Sequence, residues 1–159
     1  MPELNHADKW APEPEVGAIL QQAGVTAIVV ESPDRSLVSG DLAAFARDCD
    51  APTLRLARDR AMVLGATDLA FGWHDAGYAL SDLSAGLALV RLSGPGLAEL
   101  VAKASTTDLT DPGPSKAITF AGIPVVLDQT GAALDLHVER GLLAYLWTWL
   151  SAALRAPSL

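Results

Sequence analysis

The chain has 159 residues, half of them hydrophobic and 19% charged, with a formal net charge of −8. That length holds one compact domain with a real core and is short for two, and the apolar content excludes a disordered chain. The acidic balance repels phosphate, so neither nucleic acid nor an anionic membrane surface is an expected partner.

Residues 1–14 read as an N-terminal arm, because Pro2, Pro12 and Pro14 disfavour helix and the stretch is polar. Trp10 is its apolar exception, expected to pack on the domain formed by residues 15–159. The start carries no basic segment followed by an apolar one, so it does not read as a signal peptide. No apolar run approaches the ~20 residues of a membrane helix. A cytoplasmic location is the expectation.

In 15–23, Val16, Ile19, Leu20 and Ala23 have helical spacing, and Gly24 would end that helix. The β-branched run VTAIVVE (25–31) reads as a strand that stops before Ser32-Pro33-Asp34. Asp41 is a good N-cap for a helix in which Leu42, Phe45 and Cys49 share a face. Cys49 is the only cysteine, which excludes an internal disulfide and reads as a small buried apolar residue.

TLRLA (53–57) and RAMVLGA (60–66) read as short strands, and Phe71 to Asp75 as a turn or strand end with two aromatics. YALSDLS (78–84) and AGLALVRLSG (85–94) read as two strands or one long bent one. Gly94-Pro95-Gly96 then turns into a helix over 97–104, with Pro95 suited to its first turn. After a loop at 105–114, AITF (117–120), Ala121-Gly122 and IPVVLD (123–128) have a hairpin signature. ALDLHVE (133–139) alternates strictly, as a half-buried strand does. A helix over 140–155 ends the chain. Mixed helices and hairpin-linked strands predict an α+β class: a single domain with a mainly antiparallel sheet and packed helices.

Four places invite a chemical reading. Ser93-Gly94-Pro95-Gly96 lies between strand and helix, where a phosphate could sit, but Glu99 replaces the last glycine of a dinucleotide fingerprint and no P-loop lysine follows. The turn is the better reading. Asp135, His137 and Glu139 project from one strand face and could hold a metal if a second histidine joined them; a solvated face is the ordinary reading. His74-Asp75 lacks a nucleophile and the geometry of a catalytic pair. Ser81, Ser84 and Ser93 lack a nucleophile elbow and read as turn and cap residues.

The last helix is the most informative element. Leu142, Leu143, Leu146, Leu150, Ala153 and Leu154 form one stripe, widened by Tyr145 and Trp149 on one side and Trp147 on the other. Together they cover roughly 200°, about twice the stripe of an ordinary surface helix. Core and subunit interface share this surplus, and Trp73, Tyr145, Trp147 and Trp149 are the candidate interface residues.

Asp82-Leu83-Ser84, then Leu92-Ser93-Gly94-Pro95, then Asp108-Leu109 are similar to a segment of the glycine-cleavage aminomethyltransferase superfamily. Val138 and Arg140, followed by Tyr145, Leu146, Trp147, Trp149 and Leu150, resemble the ending of the gamma subunit of heterotetrameric sarcosine oxidase. The likeness covers about residues 55–155. It implies a fold like the first domain of the aminomethyltransferase, and a noncatalytic subunit with no cofactor in this chain. FAD, FMN, NAD, zinc and tetrahydrofolate are then expected in partner subunits: a large folate-binding and NAD-binding subunit, a flavin-binding subunit and a small zinc subunit. The implied assembly oxidatively demethylates an N-methyl amino acid with folate as one-carbon acceptor. The family's catalytic-acid segment is missing, since Gly131-Ala132-Ala133-Leu134-Asp135 lacks the paired glycines and carboxylates. A stand-alone folate-binding module and a small enzyme built on His137 are the rival readings.

Overall fold

The computed structural model describes residues 12–108 and 115–155. Most of the expected arm, including Trp10, and residues 109–114 of the expected loop lie outside them. The strands are β1 (Ile19–Gln22), β2 (Val25–Val30), β3 (Arg35–Gly40), β4 (Thr53–Ala57), β5 (Arg60–Leu64), β6 (Gly72–His74), β7 (Tyr78–Asp82), β8 (Leu87–Ser93), β9 (Ala117–Phe120), β10 (Ile123–Thr130) and β11 (Ala133–Glu139). The helices are α1 (Leu42–Asp48), α2 (Leu97–Ala104) and α3 (Leu143–Arg155). The α+β class therefore holds, with two sheets.

The first sheet runs β1-β2-β8-β11-β10-β9 and the second β4-β5-β3-β7-β6, and every pairing is antiparallel. The whole second sheet lies in the chain between β2 and β8, which are neighbours in the first. Ser32 and Leu87, where that segment leaves and returns, are joined by a 3.2 Å hydrogen bond from the serine hydroxyl to the leucine carbonyl.

Residues 15–23 are not a helix. Ile19–Gln22 pair with Val25–Ile28 around Ala23-Gly24, which have φ of 52° and 71°. Two positive φ values make the primed turn that fits the twist of a two-residue hairpin. Gly24 is thus a turn residue instead of a helix cap. The same dipeptide recurs at Ala121-Gly122, with φ of 52° and 82°, in the expected β9–β10 hairpin. RSLVSG (35–40), unassigned from its composition, forms the central strand of the second sheet.

One face of the first sheet packs on α2 and α3. Val90, Leu92, Leu134, Leu136 and Val138 meet the helix leucines in one core. A smaller core gathers Val38, Phe45, Ala61, Val63, Tyr78 and Leu80 between the second sheet and α1. Asp41 caps α1 as expected, its carboxylate accepting the Ala44 amide at 2.9 Å. Asp41→Ala should lower the unfolding free energy by about 1 kcal/mol, read in urea titrations. Cys49 is only partly buried, at the edge of the smaller core and 3.7 Å from the Thr67 hydroxyl.

The leucines of α3 behave as the stripe predicts: Leu143, Leu146, Leu150 and Leu154 are buried. Trp147 and Trp149 are half-buried against the same core, and Trp149 meets Phe120 edge to face at 5.9 Å. Tyr145 is 41% exposed and donates its hydroxyl to the Ala121 carbonyl at 2.9 Å. Much of the wide apolar band is therefore covered by the domain's own sheet and α2.

Candidate functional site

The strand β11 does bring Asp135 and His137 to one face, but that face is not solvated. Both are buried, and the strand is covered on both sides. Period-two alternation separates the faces of a strand without saying what covers each. Here the second sheet delivers Arg35, itself fully buried, onto His137. The guanidinium Nη1 donates to His137 Nδ1 at 2.6 Å. Its other donors reach the Pro33 carbonyl at 3.3 Å and the Leu87 carbonyl at 3.4 Å. Ser84 holds the Arg35 backbone, accepting its amide at 3.0 Å and donating to its carbonyl at 3.2 Å. Asp82 in turn accepts the Ser84 amide at 2.9 Å. Asp82 and Ser84 thus work as turn residues that set the start of β3.

Asp135 is engaged on its other side. It lies opposite Arg91 of β8 and takes that guanidinium through both oxygens at 2.7 Å. This cation offsets the repulsion expected where Asp128 of β10 stands directly across from Asp135. Glu139, the third residue of the face, is exposed and not part of the cluster. Among the described residues, no group of three or more His, Cys, Asp or Glu comes together to hold a metal.

Arginine only donates, so the Arg35 contact makes Nδ1 an acceptor and leaves the ring proton on Nε2. Burial first, and the Arg35 charge second, push the His137 pKa down to about 4, against a smaller upward pull from Asp135. The ring is neutral at pH 7 and has no free basic nitrogen. It can donate one hydrogen bond from Nε2 but cannot act as a general base there. Burial, then the charge of Arg140, also lowers the Arg35 pKa. That guanidinium stays charged and holds the sheets together through neutral acceptors.

The other chemical candidates are absorbed by structure. In the glycine turn, the Gly96 amide donates to the Gly24 carbonyl at 3.0 Å and the Leu97 amide to the Gly94 carbonyl at 3.2 Å. A side chain at 94 would place its Cβ 2.2 Å from the Gly24 carbonyl oxygen. The turn is glycine-rich because it packs on the first hairpin, and its amides do not converge on a phosphate. His74 Nε2 bonds the Ala70 carbonyl at 2.7 Å and the ring stacks on Tyr78 at 4.6 Å, with no part for Asp75. Among the candidate interface residues Trp73 stands apart. It is 70% exposed on β6, an outer strand of the second sheet, and Phe71 beside it is 57% exposed.

No family model matches the chain, and no curated protein does. A solved structure does resemble it. A chain of the heterotetrameric sarcosine oxidase from Corynebacterium sp. U-96, in complex with pyrrole 2-carboxylate, superposes with a TM-score of 0.69 at 17% identity. The match covers 90% of this chain and 91% of that one. At that identity the likeness is one of fold.

Among the described residues no helix is long and apolar enough to cross a membrane.

Proposed function

We propose that the chain is a noncatalytic, gamma-type subunit of a sarcosine-oxidase-like flavoprotein complex. That complex oxidatively demethylates an N-methyl amino acid in the cytoplasm, with folate taking the one-carbon unit. FAD, FMN, NAD, zinc and tetrahydrofolate sit in its partners, a large folate-binding and NAD-binding subunit and a flavin-binding subunit among them. The observation that carries this reading is the two-way coverage of the fold match. Nearly the whole chain corresponds to nearly the whole of one chain from a four-subunit oxidase.

The surface is consistent with it. Phe71 and Trp73 expose two large aromatics together on a sheet edge. Tryptophan is among the residue types enriched at binding hot spots. In the His137 cluster Nδ1 is taken by Arg35, which leaves the ring without a general base.

Co-expression with the products of the adjacent reading frames tests the proposal. The expected result is a stable complex containing flavin, with oxidative demethylation of an N-methyl amino acid that needs all its chains. Trp73→Ser should weaken assembly about 30-fold, as truncation of an interface tryptophan does. The same substitution should leave the thermal midpoint of the isolated chain within about 2 °C, because the site is exposed. A chain that stays monomeric and recovers none of its neighbours' products would sink the reading.

A further inference from the structure

The ring of His74 stacks on Tyr78, a member of the smaller core. Successive strand residues point to opposite faces, so Trp73 leaves the second sheet on the side away from that core. The register places Trp73 beside Ala79, and Ala79 beside Ser39. These neighbours are small, so the indole stands over a low floor and is 70% exposed. Phe71, just before β6, is 57% exposed. β6 is the last strand of its sheet, so the floor ends at an open edge.

The charges around the two aromatics have one sign. Between Arg60 and Arg91 the sequence has Asp68, Asp75 and Asp82, and neither lysine nor arginine. Asp68 and Asp75 flank the aromatics, are exposed, and take part in none of the ion pairs among the described residues. Asp82 ends β7, two residues past the Leu80 that pairs with Gly72. Along the row of Trp73, Ala79 and Ser39 the next residue is Arg60, three strands from the indole and about 14 Å away. That exceeds the Debye length of physiological salt, about 8 Å, so the patch stays acidic. A second copy of this chain would set aspartates against aspartates, and a phosphate-bearing partner would be repelled in the same way. Arginine suits both parts of the patch, because its guanidinium lies flat on an indole face and takes a carboxylate through two hydrogen bonds.

We infer that the β6 edge docks on an arginine-bearing face of a partner subunit, with a guanidinium over Trp73 and with Asp68 and Asp75 facing a basic rim. This rests on the subunit reading above and adds to it the chemistry of the surface that covers the aromatics.

In the test, the complex obtained by co-expression is equilibrated at increasing NaCl, and free and bound chain are resolved by analytical ultracentrifugation. Kd should rise about tenfold between about 50 and 500 mM salt. Asp68→Lys combined with Asp75→Lys should raise Kd about 30-fold at the lower salt and remove most of its salt dependence. Both sites are exposed, so the thermal midpoint of the isolated chain should stay within about 2 °C. Asp68→Glu combined with Asp75→Glu keeps the charge and should assemble as the unaltered chain does. A Kd indifferent to salt and to the charge reversal overturns the inference and leaves the subunit reading in place. Absence of any complex overturns both. A dimer of the isolated chain that Trp73→Ser breaks puts a second copy on this edge and also overturns the inference.

Discussion

Arg35→Ala is expected to lower the unfolding free energy by about 2–4 kcal/mol, the combined effect of a buried cavity and of acceptors left without a donor. The residue is fully buried, and its guanidinium reaches His137 Nδ1 and the carbonyls of Pro33 and Leu87. No truncated side chain could serve those three acceptors. A second readout separates this from simple loss of packing. Arg35 depresses the His137 pKa both by its charge and by sealing the ring, so the variant's imidazole should titrate well above about 4. Equilibrium unfolding in urea gives the first number and histidine NMR the second. Unchanged titration of His137 in a destabilised variant would mean that the contact does not set the ring's protonation.

Stability should also fall on mild acidification, because of His137. Its pKa is near 6.5 in an unfolded chain and about 4 in the fold. Between those values the unfolded state binds the proton and the folded state does not, so acid favours unfolding. The contribution is fully present above about pH 7, declines from about pH 6.5 to pH 4, and is constant below that. Its size is on the order of 3 kcal/mol. Asp82, held below the ordinary carboxylate range by the Ser84 amide and hydroxyl, loses its own contribution only as pH falls below about 4. The window from pH 6.5 to 4.5 therefore reports mainly on the histidine. In His137→Gln the carboxamide oxygen still accepts from Arg35, and the slope across that window should flatten. A slope unchanged by the substitution would place the acid sensitivity elsewhere.

The two Ala-Gly pairs show how far local sequence carries. At 121–122 the flanking runs alternate or are β-branched, and the hairpin follows directly. At 23–24 the preceding apolar residues happen to fall at helical spacing, so the same dipeptide reads as a helix end. What decides is β8, far along the chain, which pairs with β2 and supplies the sheet that β1 extends. The alternation in 133–139 gives β11 and its two faces, but not its burial, because the cover comes from residues 31–86. Arg35 carried no signal at all: an arginine beside Pro33-Asp34 reads as a surface turn, and only the meeting of two sheets encloses it. Asp135 and His137 were visible as a pair. Their partners, Arg91 and Arg35, follow from register and topology.

The second sheet is a folded parenthesis in the first: the chain leaves at Ser32 and returns at Leu87, and those two residues touch. Joining β2 to β8 directly would require a loose chain to find its own ends, at an entropy loss that grows with the logarithm of the loop. If the inner sheet collapses first around Phe45 and Tyr78, its two ends become neighbours and much of that search is over. The inner unit would then act as a scaffold for closing the outer one, and Phe45→Ala should slow folding in stopped-flow refolding.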